Sequence, residues 1–261
     1  MEKLYIIKIG GNIIDDDSKL SSFIRDFASI ASKKILVHGG GKLATELAGR
    51  LDVQQTILDG RRITDADTLK IVTMVYAGLI NKNIVAGLQA MGCQAMGLSG
   101  ADGNLIRAHK RNHPSIDYGF AGDIDSINTA LLIDLVNQGI TLVVNPITHN
   151  GAGQLLNTNA DTIAQELARA LTAYFEVNLV YSFEKSGVLL DADDNSTVIP
   201  TLQPAYYKKL REEKKIFAGM IPKIDNAFAA LDSGVKQVTI GKAEDLKQLI
   251  AHTAGTNITN D

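Results

Sequence analysis

The sequence of 261 residues has a single cysteine, no tryptophan and only five prolines. Cys93 cannot form a disulfide within the chain, and a cysteine-rich metal site is excluded. We therefore expect a protein of a reducing compartment, the cytoplasm. The five histidines are scattered and form neither an HxxxH nor an HExxH pattern, so we predict no metal ligands among the side chains.

An excess of positive charge and a long apolar run are also missing. The chain has 26 Lys and Arg against 29 Asp and Glu, a formal net charge of −3. Nucleic-acid binding needs a broad positive surface, so nucleic acid is not expected as a partner. No stretch approaches the roughly 20 apolar residues of a membrane span, so no membrane partner is expected either. Any anionic ligand must be bound by a few local cations.

The first strong pattern is an N-terminal strand that ends in a glycine pair. Five of the six residues 4–9 are apolar, as in a central parallel strand buried on both faces. Lys8 interrupts this run, and a buried ammonium group is costly without an anionic partner. Gly10 and Gly11 allow backbone N–H groups to approach such a partner closely. We predict a phosphate site here, against the alternative of an edge-strand lysine that points into water.

A second buried strand, residues 35–38, ends in three glycines and leads into a predicted helix, residues 42–50. Strand, glycine turn and helix in this order form an architecture that binds phosphate. Gly39, Gly41 and Ala44 also match the dinucleotide pattern GxGxxA. An NAD-binding oxidoreductase is therefore a remote alternative, although its pattern should follow the first strand.

Arg61 and Arg62 lie in a polar turn ahead of an unusually long helix. The apolar spacing predicts one helix over residues 64–91, longer than the usual ~11–12 residues. Such a helix often forms a subunit interface, although a bent core helix has the same pattern. The two arginines are either solvated or form a fork for a substrate carboxylate.

Two later helix starts carry groups that bear on function. Asn159 is a good N-cap, and Asp161 in the first turn would stabilise the helix dipole by roughly 0.3–1 kcal/mol. Lys223 follows Pro222 at the positive end of a helix, which is unfavourable unless an anion binds there. Lysines and glycine turns of this kind suit phosphoryl transfer, where catalysis is mainly positioning and electrostatics.

The alternation of buried strands and helices predicts an α/β fold. We expect a three-layer αβα sandwich with an open, mainly parallel central sheet. The weakest seam, residues 170–176, divides the chain into an N-lobe, residues 1–174, and a C-lobe, residues 175–261. The sequence lacks GxxxxGK[ST] and GxSxG, which argues against a P-loop protein and a serine hydrolase.

Nine short motifs, in their order and spacing, closely resemble the amino-acid kinase family over essentially the whole chain. They are IIKIGGN (6–12), VHGGGK (37–42), DGRRIT (59–64), INKNIV (80–85), GLSGADG (97–103), GFAGDI (119–124), LNTNAD (156–161), SGVLLD (186–191) and GMIPKIDNA (219–227). The best match is the branch that acts on N-acylated glutamates.

The resemblance implies an N-lobe that binds acylglutamate and dimerises, and a C-lobe that binds ATP. The implied reaction is ATP-dependent phosphorylation of the γ-carboxylate of N-acetyl-L-glutamate, giving N-acetylglutamyl 5-phosphate in arginine biosynthesis. N-succinyl-L-glutamate or another N-acylglutamate is the alternative substrate, because the residues do not size the acyl pocket. Mg²⁺ would be held mainly by the ATP phosphates and water. A non-catalytic sensor is disfavoured because the lysines and the aspartate are present.

The resemblance also implies roles for individual residues. Lys8 and Lys223 would stabilise the transition state of in-line phosphoryl transfer, and Asp161 would organise both. Gly11 and Gly41 would donate N–H groups to the moving phosphoryl. The acylglutamate would be held by Gly40, Gly41, Arg62 and Asn157. The nucleotide would be surrounded by Glu184, Lys185, Ser186, Gly187, Val188, Leu189, Lys215, Ile216, Phe217, Gly219 and Met220.

Two departures from the family pattern carry further expectations. Glu184 stands where an aspartate is usual, which affects contacts with the nucleotide. The chain starts directly at the first strand, without the extra N-terminal helix of arginine-regulated hexameric members. We therefore expect a homodimer that is insensitive to arginine.

Overall fold

The computed structural model describes residues 1–58, 61–216 and 218–260. The strands of this part are β1 (Lys3–Ile9), β2 (Lys33–His38), β3 (Ile57–Leu58), β4 (Arg61–Arg62), β5 (Ala95–Leu98), β6 (Ile106–Lys110), β7 (Ala121–Ile127), β8 (Thr141–Val144), β9 (Ile147–His149), β10 (Leu155–Thr158), β11 (Glu176–Phe183), β12 (Thr201–Leu202), β13 (Gln237–Lys242) and β14 (Thr256–Ile258). The α-helices are α1 (Gly11–Ile14), α2 (Asp17–Ala28), α3 (Gly41–Arg50), α4 (Ala66–Thr73), α5 (Asn81–Ala90), α6 (Thr129–Asn137), α7 (Ala160–Leu171), α8 (Pro204–Glu212), α9 (Ile221–Asp232) and α10 (Leu246–Ile250).

The chain forms two compact units. Unit 1 comprises Met1–Lys34 and the chain from Ala164 onward. Its strands follow the order β12-β14-β13-β11-β1, in which β11 pairs in parallel with both β1 and β13. Leu4, Ile6 and Ile9 are fully buried, so the first strand is central as predicted. Residues 253–261, for which the sequence pattern indicates only a polar tail, contain β14, which pairs antiparallel to β13.

Unit 2 comprises Ile35–Ile163. Strand β8 pairs in parallel with both β2 and β5, and β2 leads directly into the glycine turn 39–41. A second, closed set of four strands follows the order β10-β7-β6-β9 and mixes parallel with antiparallel pairs. The antiparallel pairs correct the expectation of parallel-type strands throughout. For residues 107–117 the sequence predicts a loop or a hairpin, and the structure has the hairpin, formed by β6 and β7.

The predicted long helix is present but changes its winding midway. Helix α4 continues through a π-helical segment, Met74–Ile80, into α5. Together, Ala66–Ala90 is long and apolar enough to cross a membrane by length and composition alone. Of the 18-residue apolar stretch within this segment, 44% is buried inside the protein. The core helix of a globular protein can have the same length and composition, so this segment is weak evidence for a membrane span.

The fold is α/β with a large, mainly parallel central sheet, which confirms the predicted class. The contacts group the first 34 residues with the C-terminal part of the chain, whereas the sequence seam assigned them to the N-lobe. This grouping matters for function, because it puts Lys8 and Lys223 in the same unit. The assignment of substrates to the two lobes stays a prediction.

Candidate active site

Unit 2 contains a cavity of about 200 Å³ at the glycine turn, which we call the arginine cavity. Its lining includes three of the residues predicted to bind acylglutamate, Gly40, Arg62 and Asn157, together with Gly41. The first residue of α7, Ala160, also lines it. Two helix N-termini, those of α3 and α7, therefore border one cavity, and their backbone N–H groups favour a bound anion.

The glycine turn requires glycine at its centre. Gly40 has φ +141°, a region that other residues rarely adopt. A Cβ atom there would lie 2.1 Å from Cδ1 of Ile80, while one at Gly39 would meet nothing within 4 Å. The turn is thus held against the end of the π-helical segment.

Arg62 is oriented by contacts on both sides of its guanidinium. Its Nη2 donates to the Gly41 carbonyl at 2.8 Å and to Thr45 Oγ1 at 2.9 Å, and its Nη1 donates to Gln55. Only 9% of the residue is exposed. Burial raises the pKa of Tyr76, which lines the same cavity, while the nearby Arg62 charge opposes this shift. The fork is therefore preorganised beside the start of α3.

Asn157 and Asn159 also line the arginine cavity. The side-chain amide of Asn157 donates to Thr64 Oγ1 at 3.1 Å. Asn159 accepts from the N–H groups of Asp161 and Thr162 at 2.8 and 3.0 Å, which confirms the predicted N-cap of α7. Asp161 lies one residue beyond the cavity lining, in the first turn of that helix.

Two further arginines line the arginine cavity. Arg61 was considered from its place beside Arg62, whereas nothing in the sequence indicated Arg111. Arg111 pairs with Asp123 at 2.5 Å. Burial, and then the charge of Arg111, lowers the pKa of Arg61. The cavity thus concentrates positive charge, as a ligand with several carboxylates requires.

Unit 1 contains a second cavity of about 240 Å³, which we call the lysine cavity. Lys8 from β1 and Lys223 from α9 both line it, although they are far apart in the sequence. The Lys223 ammonium lies 5.2 Å from the ring centroid of Tyr181 and 5.7 Å from that of Phe183. Gly10 lines the same cavity, and Gly11 begins the short helix α1.

The lysine cavity also collects most of the residues predicted to bind nucleotide. They are Glu184, Lys185, Gly187, Val188, Leu189, Ile216, Gly219 and Met220. Ser186 instead donates to Asn195 at 3.3 Å, and Lys215 pairs with Glu213 at 2.8 Å. Phe217 lies outside the described residues. The glutamate that replaces the usual aspartate, Glu184, has an exposed side chain.

Thr256, in the unexpected strand β14, contacts a residue that lines the lysine cavity, Val188. Its hydroxyl accepts from the Val188 N–H at 2.8 Å and is fully buried. A Cβ atom on Gly187 would lie 2.6 Å from this hydroxyl. No sequence signal pointed to Thr256, because it stands in a polar segment at the C-terminal end.

Across residues 1–58, 61–216 and 218–260, no group of three or more His, Cys, Asp and Glu side chains is arranged to hold a metal ion. The cations that line the two cavities are Lys and Arg side chains, and the lysine cavity also has the acidic Glu184.

The chain belongs to the amino acid kinase family, whose family model matches residues 3–242. It is similar to the acetylglutamate kinase of Cytophaga hutchinsonii, with 56% identity over 261 residues that cover 99% of both chains. The acetylglutamate kinase of Parabacteroides distasonis is 53% identical over 248 residues, 95% of this chain and 97% of that protein. The crystal structure of smu.665 from Streptococcus mutans UA159 matches with a TM-score of 0.82 at 27% identity, over 99% of each chain.

Proposed function

We propose that this chain is an ATP-dependent kinase that phosphorylates the γ-carboxylate of N-acetyl-L-glutamate, giving N-acetylglutamyl 5-phosphate in arginine biosynthesis. The observation that carries this proposal is the content of the two cavities, one with a preorganised arginine and a glycine turn, the other with two lysines. Near-full-length relatives that bear the name acetylglutamate kinase support the same reaction.

The arginine cavity suits the acylated amino acid. Arg62 would bind the α-carboxylate through a charge-assisted contact, while its bonds to Gly41, Thr45 and Gln55 hold the guanidinium in place. Asn157, with both donor and acceptor groups, would bind the polar backbone of the substrate. Gly40 and Gly41 would leave room for the γ-carboxylate at the start of α3, where the helix N-terminus favours its negative charge.

The lysine cavity suits ATP. Val188, Leu189, Ile216 and Met220 provide apolar surface for a purine ring, as the lining of nucleotide pockets requires. Lys8, which lines the same cavity, would bind the phosphates. Thr256 supports this proposal, because its bond to Val188 holds the apolar wall in place.

The chemistry needs charge stabilisation and no general base. A γ-carboxylate with an ordinary pKa of about 4.3 is already ionised at neutral pH. One of its oxygens forms a bond to the γ-phosphorus of ATP while the bond from that phosphorus to the β,γ-bridging oxygen breaks, and ADP leaves. Lys8 and Lys223 would stabilise the charge on the transferring group, with Asp161 orienting the two lysines. Gly11 and Gly41 would add backbone N–H donors.

Mg²⁺ would neutralise part of the phosphate charge, held mainly by the nucleotide phosphates and water. The described side chains offer no cluster of acidic groups for it. We also propose a homodimer, for which the exposed Met74 and Leu79 of the long helix, each 53% exposed, supply apolar surface. We also propose a cytoplasmic location, in line with the single cysteine, and insensitivity to arginine stays a prediction.

A substrate panel tests the proposed reaction. The purified chain is assayed with Mg²⁺ and ATP on N-acetyl-, N-succinyl- and free L-glutamate, and acyl phosphate is trapped with hydroxylamine. We expect kcat/KM for free glutamate to be lower by about 10-fold or more, because a charged ammonium replaces a hydrogen-bonding amide. ADP release that does not depend on an acylglutamate, or full activity of Lys8→Ala, would contradict the proposal.

Arg61 and Arg111 favour a second candidate, the same reaction on N-succinyl-L-glutamate. N-acetylglutamate offers one carboxylate besides the reacting one, and Arg62 already accounts for it. A succinyl group adds a third carboxylate that Arg61 could bind, while Asp123 already pairs with Arg111. In the panel, Arg61→Gln should lower kcat/KM for the succinyl substrate and leave the acetyl substrate nearly unchanged if succinyl is the preferred group.

A further inference from the structure

His38 is fully buried immediately before the glycine turn and makes a hydrogen bond at each ring nitrogen. Nδ1 lies 2.8 Å from the Gly39 carbonyl oxygen. Nε2 lies 3.1 Å from Nδ2 of Asn81, which is also fully buried. Nothing in the proposed reaction uses this imidazole directly.

The partners of Asn81 determine which nitrogen of His38 carries the proton. Nδ2 of Asn81 donates to the Val143 carbonyl at 2.9 Å, and Oδ1 accepts from the Lys82 ammonium at 3.1 Å. A flipped amide would set an oxygen against that carbonyl, so the amide orientation is fixed. Its second N–H then faces Nε2, which must accept.

Because Nε2 accepts, the proton of a neutral His38 lies on Nδ1. This agrees with the other end of the ring, where the Gly39 carbonyl can only accept. Protonation would set an Nε2–H against the Asn81 N–H. Burial is the main reason that the pKa of His38 falls to about 4, with the Lys82 charge acting in the same direction.

The π-helical segment sets the register of this contact. Ile80 ends the segment and packs on Gly40, and Asn81 follows it directly. Gly97 leaves the space for the Asn81 amide, since a Cβ atom there would lie 1.9 Å from Oδ1. Winding changes of this kind are often found at functional sites.

We propose that His38, held by Asn81 with its proton on Nδ1, is a positioning residue that fixes the Gly39–Gly40 peptide for phosphoryl transfer. The inference rests on the proposed function, because it assigns a role to the turn that borders the acylglutamate cavity. In a trans peptide the C=O and N–H point in opposite directions. A carbonyl turned to the buried imidazole therefore turns the Gly40 N–H away from His38.

Two substitutions of similar size distinguish a role of His38 in positioning the glycine turn from a role in filling the core. His38→Asn keeps an N–H near the Nδ1 position and can still donate to the Gly39 carbonyl. His38→Gln places its amide nearer the Nε2 position and can still meet Asn81, but loses the donor to Gly39. Both leave space in the core, so both should lower the melting temperature.

We expect kcat of His38→Gln to fall about 10- to 100-fold, as misplacement of a turn by a fraction of an ångström would cause. His38→Asn should retain kcat to within about 5-fold, and KM for ATP should be unchanged in both. Equal losses of kcat in the two variants, or losses that simply follow melting temperature, would overturn the proposal.

An activity-independent readout accompanies the kinetics. The wild type is labelled with ¹⁵N-histidine, and the NMR signals of His38 are assigned as those that are missing from His38→Asn. At pH 7 they should show a protonated Nδ1 and an unprotonated Nε2. The opposite tautomer or a protonated ring would overturn the proposal even in an active enzyme. An inactive wild type with the expected tautomer would count against the proposed function instead, because substrates play no part in the NMR measurement.

Discussion

Replacement of Gly40 by alanine is the perturbation whose size the structure determines most directly. Its φ of +141° is strained for alanine, at a cost of about 1–3 kcal/mol. The added methyl would also lie 2.1 Å from Ile80 Cδ1, and overpacking of this kind costs about 1–3 kcal/mol. Together these predict a loss of about 2–6 kcal/mol, or roughly 5–20 °C in melting temperature for a chain of this size.

Calorimetry of Gly40→Ala beside Gly39→Ala is the assay. Gly39 is the matched control, because a Cβ atom there meets nothing within 4 Å. Alanine at a compatible glycine position stabilises by about 0.4–1 kcal/mol, so the control should melt at or slightly above the wild-type temperature. Equal melting temperatures for the two variants would refute the reasoning.

A double-mutant cycle then separates the two contributions. Ile80 is buried, and Ile80→Ala alone should cost about 2–5 kcal/mol. On the Gly40→Ala background it should cost about 1–3 kcal/mol less, because the clash is relieved. A coupling free energy near zero would assign the whole loss to backbone strain and refute the packing contribution.

Three further predictions concern the two cavities and the buried histidine. Arg62→Lys should raise KM for the acylglutamate about 10- to 100-fold in steady-state kinetics and leave KM for ATP unchanged, with the exposed Arg50→Lys as control. Thr256→Val should leave the Val188 N–H unpaired and raise KM for ATP about 10-fold, whereas Thr256→Ser should retain the bond; equal KM values would refute the role of this hydroxyl. His38 has its pKa lowered to about 4, so between that pH and about 6.5 the unfolded chain binds a proton that the folded chain does not. Stability should fall as pH falls through this window, by up to about 3 kcal/mol, and urea titrations should find that component missing in His38→Asn.

Much of the fold was predictable because its signals are local. The apolar run of β1 and the cap at Asn159 depend on a few neighbouring residues, and both were confirmed. Strand β14 was missed because three residues in a polar tail carry no pattern of their own. It forms because β13 offers an edge on which the tail can pair.

The candidate site, like the fold, contains residues that the sequence indicates and one that it does not. Arg62, Asn157 and the glycine turn could be nominated from their motifs, and the structure brings them to one cavity. Arg111 could not, because it lies in β6–β7 connections whose pairing the sequence does not reveal. Its position depends on Asp123 across the mixed sheet, a long-range contact without a local signature.

Lys8 and Lys223 line the same cavity, and the strand register adds information about their surroundings that their sequence motifs do not contain. Strands β1 and β11 pair in parallel, and this sets Lys8 opposite Tyr181. The Lys223 ammonium lies 5.2 Å from the centroid of that same buried ring. Tyr181 is therefore a neighbour of both lysines, although neither of their motifs contains it. A ring face attracts a cation, so Tyr181 helps to fix the position of the Lys223 ammonium at the lysine cavity.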